Sequence, residues 1–224
     1  MFADAVSKIS ASIFPIFFVQ ERGDECILGV CGTGFFVDDS GLFATADHFM
    51  SPAPTGCVHY YYGRVPDQVC QPAVEIECVA HDPTRDLFIG RVSHQSVRAV
   101  EFSDAPVLPG SSVCLAGYPM AVVVARADGG FTGNVRRYWQ PTFVIDATRT
   151  VIGSRTYDGY ITQHVCLPGM SGGPVFDTEG KVRGMGVATL TRTIPSLDDN
   201  ETVVSNGIVV AIEHIRAFLE STGA

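Results

Sequence analysis

Apolar positions along the chain come in short runs that are rich in β-branched and aromatic residues, with turn-forming residues between the runs. Runs of this length and composition predict strands rather than helices. In the first half of the chain the predicted strands are 13–19, 27–30, 34–37, 42–45, 58–62, 74–80 and 87–92. In the second half they are 112–116, 121–127, 142–145, 160–165, 174–177, 182–190 and 207–212.

Helical spacing of apolar residues is confined to the two ends of the chain. Residues 2–12 predict a short N-terminal helix, and one face of a predicted C-terminal helix carries Ile212, Ile215, Phe218 and Leu219. Because no helical pattern lies between the strands, a parallel α/β sheet is disfavoured. An all-β barrel or sandwich is favoured instead.

Two stretches have no strand pattern. The polar, acidic segment 191–206 predicts an exposed loop, and the segment 93–110 predicts a connection between two halves of the chain. The composition suits a folded domain, because 46% of the 224 residues are hydrophobic and only 17% are charged. A sizeable core is therefore expected.

Charge and hydropathy exclude two classes of function. The net charge is −9 and no basic block is present, which disfavours a nucleic-acid partner. No apolar run reaches the roughly 18–20 residues that a membrane span requires, so no membrane partner is predicted. The apolar run 13–19 is interrupted by Pro15 and preceded by a single base, Lys8, so no signal peptide is expected.

The seven cysteines bear on the compartment and on metal binding. An odd number of cysteines without an export signal is typical of free thiols in a reducing compartment, so a cytoplasmic location is predicted. Cys57 and His59, and Cys78 and His81, are pairs with ligand-like spacing, but the chain has no C-x-x-C motif. Ordinary thiols are favoured over a zinc site, and no metal or other cofactor is predicted.

The strongest chemical signal is the loop 169–174, in which Ser171 stands between glycines. A hydroxyl on such a loop can attack a carbonyl, and backbone N–H groups without neighbouring side chains can bind the resulting oxyanion. The same string also fits an ordinary glycine-rich turn. It fits the G-x-S-x-G elbow of α/β-hydrolases too, with Asp198 and His214 in the required order, but the missing helices disfavour that fold.

Two further segments offer partners for a serine nucleophile. The segment 32–48 predicts a hairpin whose second strand ends at His48, and imidazole is the usual base for a serine. Asp86 stands where a polar turn enters a buried strand, so its carboxylate can accept the other imidazole N–H. Taken singly, a histidine at a strand end and an aspartate that caps a turn are common structural features.

Together the three segments resemble a trypsin-like (chymotrypsin-fold) serine peptidase. Within that family, the pattern of strands and turns is most similar to that of the HtrA/Deg-type protease domain. The resemblance implies an all-β fold of two six-stranded antiparallel β-barrels with a C-terminal helix. It further implies one peptidase domain over 1–224, with an N-terminal barrel at 13–100 and a C-terminal barrel and helix at 101–224. The matching stretches are 9–19, 32–48, 82–92, 169–177, 180–189 and 207–212.

The resemblance also implies a role for each candidate residue. Ser171 is the nucleophile, His48 the base, and Asp86 the residue that orients the imidazole. The backbone N–H groups of Gly169 and Ser171 form the oxyanion hole. The reaction implied is hydrolysis of a peptide bond through an acyl-enzyme intermediate.

Substrate binding is implied at a strand and at a pocket. The backbone of Val187, Ala188 and Thr189 is expected to pair with an extended peptide as an added β-strand. Val165 is expected at the base of the specificity pocket, with Thr189 as one wall. The pocket therefore predicts small or medium aliphatic residues on the acyl side of the cleaved bond.

Departures from the family pattern refine these expectations. Met170 stands where the secreted enzymes carry an aspartate that pairs with a new N-terminus, so activation by N-terminal cleavage is not expected. Asp47 is expected to be a solvated neighbour of His48, because adjacent residues on a strand point to opposite faces. The chain is therefore predicted to be an intracellular serine endopeptidase that acts on a protein or peptide and is limited by its substrate or by a regulatory protein.

Two alternatives stay open at this point. The first is a catalytically silent trypsin-like module that binds peptides without cleaving them. The second is an esterase with a small-molecule acyl substrate, which would require a deep pocket rather than an open groove. The intact set of His48, Asp86 and Ser171 favours an active enzyme over the silent module.

Overall fold

The computed structural model describes residues 1–22, 25–50, 57–62, 74–93, 97–125, 131–195 and 201–223. In these residues the strands are antiparallel, and one α-helix lies near each end of the chain. No helix within these ranges combines the length and the apolar character that crossing a membrane would take.

The first sheet contains seven strands in the order β5-β4-β1-β2-β3-β7-β6. β1 and β2 form a long hairpin at its centre, with Ile13 paired to Phe35 at one end and Arg22 to Glu25 at the other. The strands are β1 (Ile13–Arg22), β2 (Glu25–Phe36), β3 (Leu42–Thr45), β4 (Cys57–Tyr62), β5 (Val74–Glu75), β6 (Glu77–Asp82) and β7 (Leu87–Arg91).

The second sheet closes into a six-stranded barrel in the order β11-β12-β15-β14-β13-β8. The strands β9 and β10 form a separate two-stranded pair. The strands of this half are β8 (Ser112–Gly117), β9 (Val122–Ala125), β10 (Phe131–Asn134), β11 (Tyr138–Ile152), β12 (Arg155–Thr162), β13 (Pro174–Phe176), β14 (Val182–Pro195) and β15 (Glu201–Ala211).

Both predicted helices are present. α1 (Ala3–Ile9) continues into a 3₁₀ turn, Ser10–Ser12, and Phe2 before it packs edge-on against Phe176 of the barrel at 6.0 Å. α2 (Ile212–Thr222) buries Ile212 and Ile215, as its apolar spacing predicts. It is followed by Gly223 with φ 65°, the left-handed conformation in which helices commonly stop.

The predicted all-β class is confirmed, as are the antiparallel sheets and the C-terminal helix. Two details differ. The first sheet pairs seven strands rather than six, and residues 191–206 form no exposed loop but extend β14 and β15 as a ribbon, paired from Thr191 with Ser205 to Pro195 with Glu201. The segment is polar, yet its threonines and valines are β-branched and favour strands.

Residues 196–200 and residues 126–127 of the predicted strand 121–127 lie outside the described residues.

The connection between the two halves is bonded to both sheets. Val100 N donates to Phe36 O at 2.9 Å, and Ser103 N donates to Val182 O at 3.0 Å. Beneath it, the ring of Phe14 packs against Phe36 at 4.5 Å between ring centres, and buried aromatic residues of this kind supply much of a core. The two sheets are thus joined along the segment that the sequence predicted as a connection.

Gly159 allows β12 and β15 to close the barrel. A Cβ at this position would lie 2.0 Å from Val209 O and 2.8 Å from Ala211 N, both of which are backbone atoms of β15. Gly153, in the turn before β12, has nothing within 4 Å of a Cβ but a φ of +60°. Substitution of Gly159 is therefore limited by lack of space, and substitution of Gly153 is limited by the backbone conformation.

Gly159→Ala is expected to destabilise the protein by about 3 kcal/mol, because β15 must move away to admit the methyl group. Gly153→Ala is the matched control and is expected to cost about 1 kcal/mol through its left-handed backbone alone. Urea unfolding of both variants measures the difference. Equal losses would contradict the close contact at Gly159.

Candidate active site

Ser171 lies in the loop between β12 and β13, where this loop touches the first sheet. Thr33 N of β2 donates to Ser171 O at 2.9 Å. The loop turns sharply because Gly169 and Gly172 adopt φ values of +91° and +82°, which side chains rarely permit. Met170 between them is fully buried and anchors the loop in the barrel core. The tight serine loop that the sequence predicts is therefore present.

His48 lies in a short turn rather than at the end of a strand. β3 ends at Thr45, and residues Asp47–Phe49 form a 3₁₀ turn that Met50 N closes with a 2.8 Å bond to Asp47 O. The prediction that His48 ends the second strand of a hairpin is therefore wrong by three residues. The turn leaves 29% of the imidazole side chain exposed, so one edge of the ring can meet a ligand.

Asp86 is fully buried at the start of β7 and accepts several hydrogen bonds from the histidine turn. His48 N donates to Asp86 Oδ1 at 2.8 Å, and His48 Nδ1 lies 3.1 Å from Oδ1 and 2.9 Å from Oδ2. Asp47 N also donates to Asp86 O at 3.2 Å. These bonds hold Asp86 at a φ of +61°, a strained value for a residue other than glycine.

The second barrel also contacts Asp86, through two residues that the sequence did not single out. Tyr157 Oη donates to Asp86 Oδ2 at 3.4 Å, and Arg155 Nε lies 3.8 Å from Oδ1. Burial raises the pKa of Tyr157, and the charge of Asp86 raises it further, so the phenol stays protonated and can only donate to the carboxylate. Arg155 and Tyr157 are two residues apart on β12, so strand alternation predicts that they share a face. Only the fold shows that this face lies against Asp86.

The hydroxyl of Ser171 lies at the same junction but is not bonded to the imidazole. A Cβ on the next residue, Gly172, would lie 2.9 Å from Ala46 N, two residues before His48. Ser171 Oγ donates instead to Val187 O at 3.2 Å. Within the described residues, then, the pairing of histidine with aspartate is formed and the bond from serine to histidine is not.

The backbone donors predicted for the oxyanion hole have no competing acceptor. Met170 N between them donates to Leu167 O at 2.9 Å. Across the part of the chain that the structure describes, no protein atom accepts a hydrogen bond from Gly169 N–H or Ser171 N–H. Because buried or partly buried N–H groups are normally paired, two unpaired donors on one loop are suited to an anionic ligand.

The predicted substrate strand presents a backbone carbonyl to Ser171. Val187 sits at a bulge of β14, between the pairs Gly186 with Val209 and Ala188 with Ile208, and its side chain is buried. β13 pairs with β14 only from Val182 to Met185, so no described strand covers this edge at Val187, Ala188 and Thr189. An extended peptide can add to such an edge.

The predicted pocket residues lie beside a thiol that the sequence did not highlight. Cys166 is buried, its Sγ lies 4.0 Å from Ser171 Oγ, and its carbonyl accepts a 2.8 Å bond from Thr189 Oγ1. Burial raises the pKa of Cys166 to about 12, so the thiol is neutral at physiological pH and unreactive. Val165 is partly buried, and its carbonyl accepts from Gln140 Nε2 at 3.0 Å. Its place at the base of a specificity pocket stays a prediction.

Asp47 is buried, and the expectation that it is solvated is wrong. Its side chain is fully inaccessible, and Oδ1 lies 3.2 Å from Nδ1 of His81 on β6. Burial raises the pKa of Asp47; the charge of His81 lowers it and that of Asp86 raises it. The expectation failed because it took the side of the turn away from the imidazole to be solvent, whereas Asp47 packs beside His81 of β6.

Metal binding has no further support in the structure. The side chains of Cys57 and His59 lie outside the described residues. Among the side chains that are described, no group of three or more histidine, cysteine, aspartate or glutamate residues is placed to hold a metal ion. The pair Cys78 and His81 therefore stands without a third ligand in this part of the chain.

Two antiparallel sheets, of which the second closes into a barrel, carry Ser171, His48 and Asp86 at their junction, and this is the arrangement of the chymotrypsin-like fold class. The chain belongs to the trypsin-like peptidase domain family, whose model matches residues 32–185. The matched range contains His48, Asp86 and Ser171. The resemblance that the motifs suggested is therefore confirmed at the level of the family.

Curated relatives share this domain as part of longer proteins. The chain is 34% identical over 160 residues to "Uncharacterized protein y4bJ" of Sinorhizobium fredii. The match covers 71% of this chain and 22% of that protein. It is 26% identical over 164 residues to a "Probable periplasmic serine endoprotease DegP-like" of Pseudomonas putida, covering 72% of this chain and 30% of the relative. The chain thus spans less than a third of the length of these relatives.

Solved structures share the whole fold. The active form of the Rv3671c protease of M. tuberculosis is 23% identical with a TM-score of 0.66, and the match covers 98% of this chain and 84% of that one. The HtrA-type protease AlgW with a tripeptide is 17% identical with a TM-score of 0.69, and the match covers 99% and 63% of the two chains. At these identities the likeness shows the fold.

The accessibility of the thiols predicts their reactivity. With iodoacetamide at pH 8, Cys78 is expected to be alkylated before Cys114 and Cys166, because it alone of these three thiols is exposed. Cys114 and Cys166 are expected to stay unmodified until urea is added, because burial raises the pKa of each to about 12. Mass spectrometry of the digested protein locates each adduct. Rapid modification of Cys166 in the folded protein would contradict the closed environment beside Ser171.

The buried carboxylate of Asp47 predicts a pH-dependent effect of its replacement. Burial raises the pKa of Asp47 in the folded state above the ordinary value that it has in the unfolded chain. The free energy of unfolding of the wild type therefore falls as the pH rises from the ordinary value to the raised one. Asp47→Asn lacks this loss, so the variant is expected to gain stability relative to the wild type between pH 4 and pH 7. Urea unfolding at both pH values measures the gain. A difference that is the same at both would contradict the burial of a charged carboxylate.

Proposed function

We propose that this protein is a serine endopeptidase that hydrolyses peptide bonds with Ser171, His48 and Asp86. The observation that carries the proposal is the pairing of Asp86 with Nδ1 of His48, beside a serine loop with two unpaired N–H groups. Membership of the trypsin-like peptidase domain family supports the same class of reaction.

Asp86 sets the protonation of the imidazole. An ionised carboxylate only accepts hydrogen bonds, so Nδ1 of His48 carries the proton that faces Asp86. Nε2 on the other side of the ring then keeps its lone pair and can act as a base. Since Tyr157 donates to the same carboxylate from the second barrel, Asp86 is held from both sides while the imidazole gains and loses charge.

The reaction begins when the Ser171 hydroxyl turns from Val187 O to Nε2 of His48. The proton moves to Nε2 as Oγ bonds to the scissile carbonyl carbon, and the carbonyl electrons move onto its oxygen. The N–H groups of Gly169 and Ser171 donate to that oxyanion. Nε2 next gives its proton to the leaving nitrogen, and the C–N bond breaks to leave an acyl-enzyme. Water then attacks the ester by the same steps and restores Ser171.

An extended chain is the substrate form that this site suits. The uncovered edge of β14 offers backbone groups from Val187 to Thr189, so affinity comes from the peptide backbone rather than from a particular side chain. Cys166, whose Sγ lies 4.0 Å from Ser171 Oγ, and Val165 at the proposed base of the pocket are apolar, which supports a small or medium aliphatic residue on the acyl side of the cleaved bond. Unfolded segments and loops of proteins meet both requirements.

We place the enzyme in a reducing compartment, the cytoplasm, under control of its substrate or of a protein partner. Cys78, Cys114 and Cys166 are free thiols, which supports that compartment, although some relatives have names that describe them as periplasmic. The bond from Ser171 Oγ to Val187 O supports control at the site, because it keeps the hydroxyl away from His48 until something displaces it.

The same hydrogen bond favours one alternative function. If Ser171 stays on Val187 O when a peptide is bound, the protein is a peptide-binding module without turnover. An esterase differs from both in accepting small acyl esters but not peptides. The three functions give different results with one covalent probe and two kinds of substrate.

A fluorophosphonate probe is expected to label Ser171 and no other residue. A serine hydroxyl attacks phosphorus rapidly only when a base and an oxyanion hole are assembled around it. Mass spectrometry of the digest identifies the labelled residue. Ser171→Ala should remove the label. Asp86→Asn should slow labelling by about 10⁴-fold, since the amide favours the wrong tautomer of His48. Ser103→Ala, which removes a buried hydroxyl in the connection between the sheets, should label like the wild type.

Cleavage of a peptide library by the same samples separates the three functions. Labelling together with peptide cleavage supports the endopeptidase. Labelling with hydrolysis of small esters alone supports the esterase. Peptide binding that is the same in wild type and Ser171→Ala, without labelling, supports the silent module and overturns the proposed function.

A further inference from the structure

Thr33 of β2 is a fully buried residue that bonds to both members of the predicted oxyanion hole. Thr33 N lies 2.9 Å from Ser171 O, and Thr33 Oγ1 lies 2.7 Å from Gly169 O. Tyr118 N lies 3.1 Å from the same Oγ1. Thr45 Oγ1 donates to Thr33 O at 2.7 Å and fixes the residue from the strand that leads to His48. Thr33 thus connects the serine loop, the histidine strand and β8.

The direction of each of these hydrogen bonds follows from the partners. A backbone N–H can only donate, so Thr33 Oγ1 accepts from Tyr118 N. A carbonyl oxygen can only accept, so the hydroxyl proton of Thr33 points to Gly169 O. A group at this place must therefore donate and accept at once. A hydroxyl does both, whereas the methyl group of valine, which has the same shape, does neither.

From Pro168 to Ser171, each carbonyl oxygen of the serine loop accepts a hydrogen bond. Pro168 O shares a peptide unit with Gly169 N–H and accepts from Met120 N at 3.4 Å, and Met170 O shares one with Ser171 N–H and accepts from Gly173 N at 2.9 Å. Thr33 holds the peptide unit that follows each donor, through Gly169 O and Ser171 O. A peptide unit that turned over would replace an N–H group in the anion site by a carbonyl oxygen, which repels an oxyanion. The backbone of Gly169 and of Ser171 is thus held on one side by Met120 or Gly173 and on the other by Thr33, and this keeps the two N–H groups available.

We propose that Thr33 is a positioning residue that keeps the oxyanion hole open through its hydroxyl. The inference rests on the proposed function, because an oxyanion hole serves only acyl transfer. Thr33 touches neither the substrate nor the reacting atoms, and it acts through the peptide units of the serine loop. Its loss therefore changes the stabilisation of the transition state more than the binding of the peptide.

The test compares Thr33→Val, which removes the hydroxyl, with Thr33→Ser, which retains it, in the full chain. Thr33→Val is expected to lower kcat by about 100-fold, near the effect of losing one oxyanion-hole donor, with KM changed by less than about threefold. Thr33→Ser is expected to keep kcat within about threefold of the wild type. Ser103→Ala controls for loss of a buried hydroxyl elsewhere, and thermal unfolding of all variants controls for folding.

Crystal structures of the two Thr33 variants provide a readout that does not need turnover. Gly169 O is expected to leave its wild-type position in Thr33→Val and to keep it in Thr33→Ser. Equal kcat in the two variants, or an unmoved loop in a folded Thr33→Val, would overturn the inference. If the wild type neither labels nor cleaves while the loop still moves in Thr33→Val alone, the proposed function fails and the positioning by Thr33 stands.

Discussion

The site depends on how closely the backbone of the serine loop approaches the first sheet. A Cβ on Gly172 would lie 2.1 Å from Thr45 Oγ1 and 2.3 Å from Thr33 O, so no side chain fits between loop and sheet. Gly173 is equally confined, with its Cβ position 2.0 Å from Ala116 O. Gly172 is therefore required both by its φ of +82° and by its packing against the first sheet, whereas Gly173 is required by its packing against β8. Any larger residue would push the nucleophile away from the histidine turn.

The contact matters because the groups that are proposed to react are divided between the sheets. The first sheet carries His48 and Asp86, and the second carries Ser171 with its N–H donors. Hydrogen bonds cross the junction in both directions, from Thr33 to Ser171 O and from Tyr157 to Asp86. Neither half holds the full set of groups alone, so the accuracy of the site is set by the same contacts that join the sheets.

The sequence predicts the parts of this site that have a local pattern. His48, Asp86 and Ser171 each stand in a recognisable stretch of strand and turn. Thr33 and Tyr157 have no such pattern, because their partners come from strands more than fifty residues away and depend on register. The error at Asp47 came from assuming that a side chain that does not face the imidazole must face solvent, whereas Asp47 is buried beside His81. The error at 191–206 came from giving polarity more weight than β-branching, which decides the conformation of a paired ribbon.

The bond between Ser171 Oγ and Val187 O has a thermodynamic consequence. If an extended peptide adds to the edge of β14 as proposed, Val187 O can accept a hydrogen bond from the peptide in place of the Ser171 hydroxyl, and filling the edge and freeing the hydroxyl are then coupled. Coupling of this kind is reciprocal: whatever draws the hydroxyl toward the imidazole also raises the affinity for peptide. With a net hydrogen bond of about 1 kcal/mol, the two equilibria shift each other about fivefold. Under the proposed function, Ser171 would stay unreactive in the presence of compact proteins and become reactive when an extended chain occupies the edge of β14.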